Sequence, residues 1–138
     1  HTIFRTLNDA RGWARAGAVF EYGTSDCSFT MILSESQYMT QFSNMCSESY
    51  SCRVGDDVII NVDRWRNATP SWHEQNGTLA SYRQLVINHE VGHRLGHLDN
   101  EPSCAGAGQP ASLMQQQSMG LRGCKINPWP LEEELWIQ

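Results

Sequence analysis

The chain has 138 residues and carries ten Lys and Arg against fifteen Asp and Glu, a formal charge of −5. That length suits one domain with a single core, and 40% hydrophobic with 18% charged residues excludes a disordered tail. No basic run points to nucleic acid or an anionic membrane surface, and no apolar run is long enough to span a bilayer.

Residues 1–10 read as a short helix, because Ile3, Phe4, Leu7 and Ala10 share one face. Ala18–Tyr22 and Cys27–Leu33 read as strands separated by the turn cluster Gly23–Asp26. Ser34–Ser49 is polar and irregular, with room for one helical turn. Tyr50–Val54 reads as a short strand, Gly55-Asp56 as a turn, and Val58–Val62 as a central, β-branched strand. Residues 66–78 read as a loop. Thr78 is placed to cap a helix over residues 79–95, and Gly96 to end it. Residues 100–130, rich in Gly, Pro, Ser and Gln, show little periodicity. Pro130 is placed to start a last helix over residues 132–137. Five cysteines, at 27, 46, 52, 104 and 124, are many for this length. They suggest an oxidising, extracytoplasmic compartment, and the sequons at Asn67 and Asn76 add weak support. An odd count leaves at least one unpaired, and spacing leaves the pairing open. Arg5, Asn8 and Asp9 interrupt the start, so these residues read as a mature form or an excised domain.

The informative stretch is Asn88-His89-Glu90-Val91-Gly92-His93-Arg94-Leu95-Gly96-His97-Leu98-Asp99. It contains HExxH. Residues four apart on a helix sit one turn above the other, so His89 and His93 can offer two imidazoles to one metal ion. They continue the stripe of Tyr82 and Val86, which should face the core or a cleft. Glu90 lies about a hundred degrees round the helix and can reach a metal-bound water without being a ligand. That is the requirement of zinc-promoted hydrolysis: a Lewis acid and a carboxylate that moves the proton.

His89 to Asp99 resembles the extended zinc signature of metzincin metallopeptidases. In that clan the glycine breaks the helix, a third ligand follows, and a methionine lies in a tight turn beneath the site. Ser112-Leu113-Met114 resembles that Met-turn. An Asp third ligand makes the chain similar to the small secreted snapalysins. The chain also resembles an uncharacterised family of exported, mostly actinobacterial proteins. The residues carrying that likeness are Asn61, Arg64-Trp65, Tyr82-Arg83, the HEVGH core, Met114-Gln115-Gln116 and Asn127-Pro-Trp-Pro130. They span roughly residues 5–130. The chain departs from this pattern at Leu98-Asp99-Asn100, where Gly-His is expected.

The resemblance implies an α+β, metzincin-like fold. A twisted, mostly parallel sheet would carry an antiparallel edge strand, with a backing helix and a zinc-binding helix. An irregular C-terminal subdomain would hold the Met-turn at Met114. Residues 1–138 would form one catalytic domain, 1–99 above the cleft and 100–138 below it. Tyr50–Val54 would be the cleft's rim strand. The expected disulfides are Cys46–Cys52, entering that strand, and Cys104–Cys124, bracketing the Met-turn. Cys27 is then a small buried residue at a strand start. Trp65, Trp72 and Trp129 read as packing, His73 as a surface residue and Glu132–Glu134 as a solvated first turn. The implied protein is a secreted zinc endopeptidase acting as a monomer on a peptide or protein substrate, with no nucleic acid or membrane partner. One catalytic zinc would be held by His89, His93 and Asp99, with His97 the rival for Asp99's place, and Glu90 would activate the zinc-bound water. Two other readings keep the motif. One is a thermolysin-like peptidase whose third ligand is Glu101 or one of Glu132–Glu134. The other is a non-catalytic zinc-stabilised binding module.

Overall fold

The computed structural model describes residues 1–98 and 101–138. It is α+β, with a small mixed sheet of three strands and several helices. Helix α1 is Thr2–Leu7. Strands β1 (Thr30–Ser34), β2 (Cys52–Val54) and β3 (Asp57–Asn61) follow. Helices α2 (Val62–Asn67), α3 (Pro70–Glu74) and α4 (Leu79–Arg94) complete the regular elements. Short 3₁₀ turns occur at Trp13–Ala16, Ser36–Gln41 and Glu132–Glu134.

The sheet order is β1-β3-β2. β1 runs parallel to β3, and β2 runs antiparallel to it as an edge. β3 is central, and its apolar residues serve both faces. Val58 and Ile60 pack with Tyr82, Leu85, Val86 and Val91 of α4, together with Trp13 and Trp72. Ile59 faces the other way, onto Met39, Cys46 and Cys52. Strand side chains alternate, and β3 has apolar side chains for both directions. Its last residue, Asn61, is fully buried, accepts from the Arg64 N–H at 3.2 Å to cap α2, and donates to the Glu48 carbonyl at 2.9 Å.

Four expectations are corrected. Ala18–Tyr22 is not a strand. The Phe20 backbone is instead bonded in both directions to the Asn8 side chain, at 3.0 and 2.9 Å, and Val19 and Tyr22 are exposed. The predicted loop 66–78 contains α3. Thr69 accepts the Trp72 N–H at 3.2 Å and Pro70 stands at the first turn, which is an N-cap followed by a tolerated proline. The predicted helix 132–137 shrinks to the turn Glu132–Glu134. Cys27 is exposed and precedes β1 rather than being buried in it.

Both expected disulfides are present, Cys46–Cys52 and Cys104–Cys124. They suit an oxidising compartment. Among the described residues no helix is long and apolar enough to cross a membrane. Trp72 is fully buried and Trp65 packs against the core. Trp129 lies under the Arg11 guanidinium at 4.3 Å.

Candidate metal centre

The site is built on α4. Thr78 caps the helix through a capping box: its Oγ1 accepts the Ser81 N–H at 3.0 Å, and Ser81 Oγ accepts the Thr78 N–H at 3.1 Å. The apolar stripe against β3 holds the helix on the sheet through the HExxH segment. Just before the motif, the Asn88 carbonyl accepts from Trp13 Nε1 at 3.0 Å and the Asn88 amide donates to the Pro128 carbonyl at 2.9 Å. The helix ends as predicted. His97 N–H returns to the Gly92 carbonyl at 3.0 Å and Gly96 N–H to the His93 carbonyl at 3.3 Å, a Schellman motif. Gly96 has φ +118°, and a Cβ there would also lie 2.5 Å from Gln138 Cβ.

His89 and His93 sit one turn apart with ring centroids 4.9 Å from each other. His89 Nδ1 lies 2.9 Å from the Leu113 carbonyl. His93 Nδ1 lies 2.7 Å from the His97 carbonyl and 3.1 Å from that of Leu98. Carbonyls only accept, so each Nδ1 carries a proton, and in the neutral ring each Nε2 keeps its lone pair. Among the described residues His89 Nε2 is buried without a hydrogen-bond partner, and Glu101 Oε2 stands 3.4 Å away. Donor atoms of His89, His93 and Glu101 all lie within 4.8 Å of one another. This His-His-Glu group can hold a metal ion, and an orphaned buried imidazole nitrogen is what a metal would satisfy.

Glu90 is buried at 8% exposure and borders the same cleft. That cleft has a volume of about 270 Å³ and is lined by Ser51, Arg53, Glu90, His93, Glu101 and Gln116, among others. Burial pushes the Glu90 carboxyl up to about 7 in the metal-free chain. Burial alone would lower the His89 imidazole, but Glu101, Glu90 and the Leu113 carbonyl outweigh it and raise its pKa. Burial and His89 lower that of His93. Burial opposes ionisation of Glu101, yet the neighbouring His89 and Gln116 side chains prevail and lower its pKa.

Asp99, the predicted third ligand, lies outside the described residues. Its rival His97 is not in the donor group. The His97 ring stacks on Trp136, with centroids 3.7 Å apart, and its Nε2 donates to the Trp136 carbonyl at 3.0 Å. Met114 is buried beneath the helix, so close that a Cβ on Gly92 would lie 2.6 Å from its sulfur and 2.9 Å from Trp13 Cζ2. Gly92 is therefore required by packing, which HExxH spacing alone does not reveal. His73 is exposed, as expected.

The sequence model of the family described as "Protein of unknown function (DUF3152)" matches residues 1–132. The chain belongs to that family. No curated protein and no solved structure matches it. The stretch matched to DUF3152 contains His89, Glu90, His93, Glu101 and Met114.

The expected solvated first turn at Glu132–Glu134 is corrected at its last residue, and among the described residues none of the three joins the donor group. Glu132 and Glu133 are exposed, but Glu134 is buried at 6% exposure. Its Oε1 accepts from Leu113 N–H at 2.8 Å and Leu131 N–H at 2.9 Å, and its Oε2 from Met114 N–H at 3.0 Å. A run of three glutamates after a proline carries no signal that tells the buried one apart.

Proposed function

We propose that the chain is a zinc-dependent endopeptidase of metzincin type, acting outside the cytoplasm on unstructured peptide segments. The observation that carries this reading is the placement of a buried carboxylate, Glu90, beside two imidazoles whose Nδ1 atoms are held by backbone carbonyls, which leaves Nε2 of each ring to serve a metal. A structural zinc site is usually closed by four protein ligands and needs no base. Here two of the three donors, His93 and Glu101, share one open cleft with a buried base, and the third, His89, is buried behind them. Supporting features are the glycine that ends α4, the methionine packed beneath it and the antiparallel edge strand β2. The two disulfides support secretion.

His89, His93 and Glu101 would hold the ion. Glu101 stands twelve residues after His89 rather than ten. It supplies a carboxylate donor, as the predicted Asp99 would. Zinc, when bound, supplies Lewis acidity that polarises a carbonyl and lowers the pKa of water toward about 7. Glu90 takes a proton from the water that adds to the scissile carbonyl carbon and returns it to the amide nitrogen as the C–N bond breaks. Burial equips it for this, because a carboxylate with a raised pKa is a better base. β2 lies at the sheet edge, and Ser51, Cys52 and Arg53 line the cleft. An extended peptide added beside β2 gains main-chain hydrogen bonds whatever its sequence.

The test is metal analysis of the purified protein with a casein digest, with and without chelator. One zinc per chain and chelator-sensitive cleavage support the reading. A protein that takes up no zinc, or cleaves equally well in chelator, contradicts it.

A further inference from the structure

Both imidazoles are oriented from behind by backbone carbonyls, and the three carbonyls lead to the same stretch of chain. The first relay starts at Glu134. Its carboxylate accepts three backbone N–H groups, and two of them belong to the successive residues Leu113 and Met114. Charge-assisted hydrogen bonds of this kind are short and strong, and they fix the attitude of that turn. The Leu113 carbonyl then accepts the His89 Nδ1 proton at 2.9 Å.

The second relay starts at Trp136. Its indole stacks on the His97 ring and its carbonyl accepts from His97 Nε2. Gln138 N–H donates to the Leu95 carbonyl at 2.9 Å. These contacts hold the turn after Gly96, whose His97 and Leu98 carbonyls accept the His93 Nδ1 proton.

We propose that residues 131–138 are the positioning element of the metal centre, with Glu134 setting the His89 ring and Trp136 setting the His93 ring. The inference rests on the metal-centre reading given above. Each relay fixes the tautomer that leaves Nε2 as the donor nitrogen of the His-His-Glu group. Outer-sphere partners of this kind are worth about 10–100-fold in metal affinity. A segment that merely closed the core would change the stability of the fold and leave the affinity of the folded site unchanged. The glutamate run carries its own control, since Glu132 and Glu133 are exposed and only Glu134 is buried.

The experiment titrates metal-free wild type, Glu134→Gln, Trp136→Ala and Glu132→Gln with zinc against a competing chelator. Each is also loaded with Co²⁺ for its visible absorption spectrum, and folding is checked by circular dichroism. Glu134→Gln replaces an acceptor oxygen with an amide that faces an N–H. It should weaken zinc binding by about 10–100-fold and alter the Co²⁺ bands, while Trp136→Ala should weaken it by about tenfold. Glu132→Gln should match wild type. The proposal is overturned if both relay variants fold and bind zinc within about twofold of wild type with unchanged Co²⁺ spectra. If Glu134→Gln does not fold, Trp136→Ala decides, because Trp136 is 47% exposed and tolerates truncation. A wild type that binds neither metal overturns the metal-centre reading and this proposal together. Binding by wild type with unmoved variants overturns this proposal alone.

Discussion

In residues 1–98 the fold is carried by backbone ladders, a three-stranded sheet and a 16-residue helix laid across it. In residues 101–138 the only regular backbone elements are one 3₁₀ turn and an isolated bridge between Pro110 and Lys125. Order there comes from the Cys104–Cys124 disulfide and from buried polar side chains bonded to backbone. Gln117 bonds to the Asn127 backbone through both ends of its amide, at 2.7 and 2.8 Å, and Asn127 donates to the Ala111 carbonyl at 2.8 Å. The candidate site straddles the two regions. The helix supplies His89, Glu90 and His93; the irregular region supplies Glu101, the Leu113 carbonyl and the Met114 floor. A site of this kind takes its donor spacing from periodicity and its donor orientation from irregular chain.

The two regions' contributions separate most clearly when a donor is removed from each. His93→Ala, on the helix, should abolish stoichiometric zinc binding, a larger loss than the roughly 100-fold ceiling for outer-sphere changes. Glu101→Ala, on the irregular side, should weaken zinc binding more than Asp99→Ala does. Isothermal titration of the metal-free variants checks both, and the reverse order would return the third position to Asp99.

Next in size is the disulfide of the irregular region. Cys104→Ser with Cys124→Ser should cost about 3 kcal/mol in the chain-entropy account, against about 2 kcal/mol for the shorter Cys46–Cys52 loop. Chemical denaturation of each double variant measures the difference. Equal losses would show that residues 101–138 do not depend specially on their cross-link.

A smaller effect concerns Glu90 in the metal-free protein. Its folded pKa, about 7, lies above the ordinary carboxylate value of 4.5. The folded state therefore holds more protons than the unfolded state between these values, and stability falls as pH rises through that window. Glu90→Gln lacks this dependence. Its metal-free form should gain on wild type by about 2–3 kcal/mol between pH 4.5 and 7.5, read from unfolding curves. A stability difference constant across that range would place Glu90 in a wetter setting than its burial indicates.

The same division explains what the sequence disclosed. Where one face must be buried, the pattern repeats and can be read: α1, the central strand, the short edge strand and the capped, glycine-ended α4 all follow from spacing. HExxH was legible because its chemistry obeys the helix period. The errors fall where side chains replace backbone partners. Asn8 occupies the Phe20 backbone that would otherwise pair in a sheet, and Thr69 caps a five-residue helix too short to show a period. Glu134 was unreadable for the same reason, since its partners are three N–H groups, two of them about twenty residues away.

The most direct test of the central claim compares zinc-loaded wild type with zinc-loaded Glu90→Ala on an unfolded protein substrate, with metal content measured on the same samples. The account predicts one zinc in each, cleavage by wild type alone, and a fall of about 10²–10⁴-fold in the variant's rate. Equal cleavage by the two proteins, or a wild type that holds its zinc and cleaves nothing, would contradict it.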